Sequence, residues 1–200
     1  GDVYKRQPLC VINGFSENLR EEDGYLTKQH YIDVIQQQAG DMDALVHKML
    51  NFSKLESDSA KVNKQLFNIK TELETLAERY NSITDKNIII TADNTDVSAD
   101  KALMELVFEN LIENAVKYSK DNSDIKISFA NNNFNISNEC EEISKKDLKK
   151  IWKPYNRLEK DEEVRGTGIG LSIVKHILKL HRIKPYTEYS GGRLIIGFYI

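Results

Sequence analysis

Asn110, Asn114, Lys117 and Tyr118 recur at helical spacing, so a helix there would carry two amides, an ammonium and a phenol ring on one face. Such a face suits a metal, a polyphosphate and a flat base. The carbonyl oxygen of Asn114 can ligate Mg²⁺, a hard cation that prefers oxygen donors and keeps several waters. Asn110, one turn earlier, can join that shell or bind a phosphate oxygen. Lys117 can neutralise phosphate charge, and Tyr118 can stack on or edge a base. Far downstream, Gly166-Thr167-Gly168-Ile169-Gly170-Leu171 reads as a glycine turn opening a second helix, whose N-terminal dipole favours phosphate. Two lone asparagines on an amphipathic helix would be explained by solvation alone. Leu106, Val107, Leu111 and Ile112 fill the opposite face, and the glycine turn follows in the right order, so a nucleotide site is the stronger reading. The turn lacks the Gly-Lys-Ser/Thr of a P-loop, and no βαβ unit surrounds it as in a dinucleotide fold.

The elements that must position these residues follow from periodicity. Leu9, Ile12, Phe15 and Leu19 mark a helix, Asp23-Gly24 a turn, and Ile32, Ile35, Ala39, Met42, Leu45 or Val46, Met49, Phe52 and Leu55 a longer helix. The two form an antiparallel hairpin whose apolar stripe is too wide to bury alone, so dimerisation into a four-helix bundle is expected. Ser57-Asp58-Ser59-Ala60-Lys61 reads as a polar linker. Beyond it the texture is mixed: a strand over 65–70, a helix over 71–82, a strand over 87–92 and the motif helix from about Asp100 to Ser119. Strands over 125–129 and 134–137 flank Asn131-Asn132-Asn133, which suits a hairpin turn because Asn tolerates left-handed backbone. The glycine turn then opens a helix over 169–181, and two closing strands flank Gly191-Gly192. The charged segment Asp161-Glu162-Glu163-Val164 before the glycine turn reads as a mobile lid.

Two hundred residues, 40% hydrophobic and 30% charged, make one or two globular domains with a real core. The net charge of −3 gives no support to a nucleic-acid or anionic-membrane surface. Cys10 and Cys140 have neither metal-ligand nor disulfide-framework spacing, which fits a reducing compartment. No apolar run reaches about 18 residues, the length of a membrane span. Gly1 to Gln7 matches neither the helical pattern nor a targeting signal, and resembles translated sequencing-adapter read-through to be kept out of fold reasoning.

These motifs together make the chain, over about residues 8 to 200, similar to the cytoplasmic core of a sensor histidine kinase of two-component signalling. Asn110 to Tyr118 resembles that family's N box and Gly166 to Leu171 its G2 box. Ile151-Trp152-Lys153-Pro154-Tyr155-Asn156-Arg157 resembles the F box, with Trp and Tyr where phenylalanines are usual. Pro8-Leu9 with Ile12-Asn13-Gly14-Phe15 resembles the tail of the H box, and Met42 to Val46 with Leu50 to Glu56 the end of the second hairpin helix. The resemblance implies an α+β fold: a helical hairpin, dimeric as a four-helix bundle, followed by a two-layer α/β sandwich of the Bergerat type. It implies domains at 8–57 and 62–200, with 1–7 a non-native scar. It implies ATP and Mg²⁺ as cofactors, with the metal on Asn114 and the nucleotide on Asn110, Asn114, Lys117, Tyr118, Asn138, Ile143, Arg157, Arg165, Gly166, Thr167, Gly168, Gly170 and Leu171. The two arginines would contact the lid region. The implied reaction passes the γ-phosphoryl group of ATP to a hairpin histidine and then to an aspartate on a response regulator. The implied partners are a second copy and a receiver domain, with no nucleic acid, and membrane contact only through an upstream region of an integral membrane parent in a bacterial cell.

Two departures bear on that reading. The family's phosphoacceptor histidine lies five residues before the H-box proline, and here that position is Val3, followed by Tyr4 in place of an acid. The four histidines do not repair this: His30 and His47 are expected to be solvated or packed on the hairpin, and His176 and His181 lie near the last helix. The G1 box, ordinarily Asp-x-Gly-x-Gly, aligns with Asn138-Glu139-Cys140-Glu141-Glu142. Asn138 still offers a carbonyl oxygen to the adenine amino group, though without charge, and the lost hydrogen-bond strength is about 1 kcal/mol or somewhat more. Cys140 reads as a small packing residue. The rivals are another Bergerat-fold ATPase, of the chaperone, topoisomerase or mismatch-repair kind, and a degenerate ATP-binding scaffold. The first would want a glutamate base on the motif helix, for which Glu113 is awkwardly placed beside Asn114.

Overall fold

The computed structural model describes residues 2–21, 24, 27–37, 39, 40, 42, 46, 62–154 and 168–200, which fall in two compact units divided at Lys54/Leu55. The expected linker over 57–61, the lid over 161–164, His47 and the second half of the F box lie outside the described residues.

In the first unit, α1 runs Asp2–Glu21 and α2 is helical over 27–37. The ring of Phe15 lies 5.3 Å from that of Tyr31 and 6.4 Å from that of His30, so the helices face each other about the expected turn. Residues 2–7, foreign to the apolar pattern, are helical as well. Once a helix is nucleated, extension costs little for residues such as Lys, Arg and Gln. Ile12, Phe15, Leu19, Ile32 and Ile35 are only half-buried.

In the second unit a small antiparallel ribbon pairs β1 (Gln65–Asn68) with β3 (Asp96–Ala99). The main sheet has the order β2-β4-β5-β7-β6, with β2 (Ile88–Ala92) parallel to β4 (Ile125–Ala130). The rest is antiparallel: β5 (Asn133–Glu139), β6 (Tyr186–Ser190) and β7 (Arg193–Tyr199). Alternate residues of these strands bury one face under α3 (Ile69–Asn81), α4 (Lys101–Tyr118) and α6 (Gly170–Leu180). Phe108 of α4 meets Phe134 of β5 at 5.1 Å, and Phe134 stacks on Phe198 of β7 at 4.9 Å, a geometry that adds to plain burial.

The structure corrects several boundaries. The strand expected over 65–70 stops at Asn68, because that side chain accepts the Thr71 N–H at 3.1 Å and caps α3. The Asn turn has two residues rather than three: Asn131 and Asn132 take φ of 53° and 60°, and Asn133 joins β5. Two elements had no counterpart in the reading. Four-residue β3 is too short to show a period. α5 (Lys145–Lys150) is charged and lacks an apolar stripe, although Ser144, whose hydroxyl accepts the Asp147 N–H at 3.2 Å, marks its start.

Candidate functional site

The motif helix α4 is buried on nearly every side, with Met104, Val107, Phe108, Leu111, Ile112 and Ala115 in the core. Both of its ends are fastened. Asp100 caps the start, accepting the Leu103 N–H on Oδ1 at 3.2 Å. At the other end the Lys86 ammonium donates to the carbonyl oxygens of Lys120 at 2.8 Å and Ser119 at 3.4 Å. Lys86 was absent from the sequence reading. A lone lysine in a turn carries no motif, and only the folded chain brings it to the helix end.

Along α4, Asn110 is 3% exposed. Its Nδ2 donates to the Leu106 carbonyl at 2.7 Å, and its buried Oδ1 has no hydrogen-bond partner among the described residues. An orphaned buried acceptor costs roughly 1–3 kcal/mol, so folding alone would not select it. Oδ1 faces Gly170 at the start of α6, where a Cβ would stand only 3.0 Å away. Gly168 has a φ of 65°, the left-handed backbone that glycine adopts without strain. The N-cap of α6 is Ile169, which makes no side-chain cap bond to the first-turn amides. The structure thus brings Asn110 and Gly170 together, with Gly168 and Leu171 flanking Gly170 in the chain.

Asn114, Lys117 and Tyr118 follow on the same helix, all half-buried, with the Lys117 ammonium 5.1 Å from the centre of the Tyr118 ring. Asn138 lies in β5 opposite Leu194 and is 3% exposed, its Nδ2 donating to the Glu139 carbonyl at 3.4 Å. The Lys120 N–H donates to that same carbonyl at 2.9 Å, which brings the chain leaving α4 to the Asn138 end of β5. Cys140 is buried beside it, and its N–H donates to the Gly192 carbonyl at 3.2 Å. Ile143 is half-buried ahead of α5. Arg157, Arg165, Gly166 and Thr167 lie outside the described residues.

Glu113 takes part elsewhere. The Tyr80 hydroxyl of α3 donates to its carboxylate at 3.4 Å, and the Tyr80 pKa is pushed up to about 12, by burial first and then by the charges of Glu113 and Glu109. Among the described residues no cluster of three His, Cys, Asp or Glu side chains could hold a metal. The donor set that remains is amide oxygen: the orphaned Oδ1 of Asn110, with Asn114 one turn on. That set suits Mg²⁺, which takes few protein ligands beside phosphate oxygens and water.

Residues 99–196 match the family model of histidine kinase-, DNA gyrase B- and HSP90-like ATPases, and residues 6–58 match that of the His kinase A phosphoacceptor domain. The chain belongs to the sensor histidine kinases of two-component systems. Among its relatives, the phosphate regulon sensor protein PhoR of Pseudomonas aeruginosa is 28% identical over 94% of this chain and 45% of its own length. The sensor histidine kinase ArsS of Helicobacter pylori is 26% identical over 76% of this chain and 36% of its own length. The chain therefore spans less than half of either relative. Among solved structures, the histidine kinase AdeS of Acinetobacter baumannii shares the fold with a TM-score of 0.74 at 20% identity, covering 98% of this chain and 95% of that one. The histidine kinase ThkA, solved in complex with the response regulator protein TrrA, does so with a TM-score of 0.76 at 24% identity, covering 98% and 58%. No described helix of the chain is long and apolar enough to cross a membrane.

Proposed function

We propose that this chain binds ATP·Mg²⁺ between α4 and the start of α6 and serves as a protein-histidine kinase core. The observation that carries the reading is the orphaned Oδ1 of Asn110, buried against Gly170 at the start of α6. An acceptor held there at a cost in stability is explained by a cation or its water shell. Asn114 and Asn110 would hold Mg²⁺, which would supply charge neutralisation at the phosphates. Lys117 would add a second cation, the first-turn amides of α6 with Gly166 to Gly170 would cradle the triphosphate, and Tyr118, Asn138 and Ile143 would bound the base. Arg157 and Arg165 would make contacts around the lid.

In the transfer, the bond from the γ-phosphorus to its bridging oxygen breaks and a bond to an imidazole nitrogen forms. ADP leaves, and the imidazole carries the phosphoryl group to a carboxylate of a receiver domain. The work of this chain's residues is positioning and charge, because phosphoryl transfer needs little covalent help. The half-buried stripe of Ile12, Phe15, Leu19, Ile32 and Ile35 supports pairing of two hairpins, whose outer face would dock the response regulator. Domains at 8–57 and 62–200 fit this division of labour, and the membrane would enter through a longer parent protein.

Val3 occupies the acceptor position, so the test restores it. With labelled ATP, the double substitution Val3→His with Tyr4→Glu is expected to acquire acid-labile phosphate, while the unaltered chain binds ATP·Mg²⁺ calorimetrically without labelling itself. Absence of ATP·Mg²⁺ binding by a folded dimer would refute the kinase reading. It would favour a degenerate scaffold, the reading that Asn138 and the glycine-free loop after it suggest.

A further inference from the structure

His181 lies far from the amide face of α4, yet it is 7% exposed and both ring nitrogens are engaged. The Asp100 N–H donates to Nε2 at 3.1 Å, so Nε2 carries no proton. Nδ1 sits 2.9 Å from the Ile177 carbonyl oxygen and must therefore be the donor. Two backbone groups thus fix one neutral tautomer. The ring itself is held by a tight helix end: the Ile183 N–H donates to Leu178 at 2.8 Å and the Arg182 N–H to Lys179 at 2.9 Å, with Arg182 left-handed at φ 63°.

Asp100 is a junction. Its backbone N–H goes to His181, Oδ1 caps α4, and Oδ2 accepts the Asn63 N–H at 2.8 Å from the segment that precedes β1. The spacing of the contacts is matched. Asp100 to Asn110 spans about 15 Å of α4, and Gly170 to His181 about 16.5 Å along α6, at 1.5 Å per residue. The two helices therefore touch at both ends of one antiparallel pair: His181 on Asp100 at one end, Gly170 under Asn110 at the other.

We propose that His181 is a positioning residue for the nucleotide site, setting the axial register of α6 on α4 and so the place of Gly170 beneath the Asn110 oxygen. This rests on the nucleotide reading of that site. Removing the acceptor leaves the half-buried Asp100 N–H without its His181 partner and takes away one restraint on the sub-ångström slide of α6 that separates contact from clash at Gly170.

The test compares His181→Leu, which fills the space without an acceptor, with His181→Gln, whose longer amide can still accept from Asp100. His181→Asn, polar but too short to reach, serves should the leucine variant fail to fold. In the full chain, Leu and Asn are expected to raise the Kd for ATP·Mg²⁺ about tenfold, the loss of one hydrogen bond's worth of positioning. They are also expected to shift the amide NMR signals of Gly170 and of the Asn110 side chain, a helix length from the substitution. Gln should restore both. The proposal is overturned if Leu or Asn lowers Tm but leaves those signals and the affinity unchanged, or if Gln is no better than Leu. Should the unaltered chain fail to bind ATP·Mg²⁺, the nucleotide reading falls, and the two amide signals still decide the register.

Discussion

Gly170→Ala is the sharpest probe of the Asn110 oxygen. Within α6, alanine is favoured over glycine by up to about 1 kcal/mol. Against this, the new methyl would stand 3.0 Å from Oδ1, with Cγ and Cβ of Asn110 at 3.8 and 3.9 Å. Relief needs a shift of a few tenths of an ångström. Asn110 cannot simply turn away, because its Nδ2 is tied to the Leu106 carbonyl at 2.7 Å, a bond worth about 0.5–1.5 kcal/mol net. The two effects nearly cancel, so Tm should move little. Nucleotide binding has no such compensation. A methyl over Oδ1 removes an acceptor whose interaction with a charged group is worth about 1.5–3 kcal/mol, or roughly 10- to 150-fold in Kd. Calorimetry with ATP, with and without Mg²⁺, reads this directly, and the penalty should be greater with the metal. An unchanged Kd at unchanged Tm would refute the assignment of the oxygen to the cation shell. A Kd that rises while Tm falls would point to displaced helices instead.

Three further outcomes are expected. Asn110→Leu removes the orphaned acceptor, so thermal unfolding should show stability equal to or above the unaltered chain while ATP·Mg²⁺ binding is lost, a combination that a purely structural asparagine would not give. Arg182→Gly relieves a left-handed non-glycine residue and should gain about 0.5–1 kcal/mol in denaturant melts, with no change in nucleotide affinity. Tyr80 has its pKa raised in the folded state from 10.0 to about 12, so the neutral ring's contribution is complete below pH 10 and is lost as pH rises towards 12. The unaltered chain should therefore lose more stability than Tyr80→Phe across that interval, and the absorbance of the ionised phenol near 295 nm should place one tyrosine titrating late.

What could be read in the chain was whatever repeats with a period or demands a residue type. The α4 face was legible because Asn110, Asn114 and Lys117 sit at helical steps within an apolar pattern. The two hairpin turns were legible because asparagine and glycine tolerate left-handed backbone, and the helices over 2–21 and 27–37 because their apolar residues recur every three or four positions. The β1 boundary was not, because whether Asn68 continues a strand or caps a helix depends on where Thr71 lies. Neither was β3, whose four residues acquire meaning only from their partner β1.

The sequence by itself determined the family, the order of the two units and the residue types of the phosphate face, because these are set by spacing along the chain. Only the tertiary structure decided which atoms are spent and which are left over. It gave the Nδ2 of Asn110 to Leu106 and left Oδ1 facing Gly170. It turned Glu113 towards Tyr80, and it made His181 a neutral acceptor for Asp100, 81 residues away in sequence. Hydrogen-bond partners at that separation carry no local signature; they exist only once packing has brought two helix ends within about 3 Å of each other.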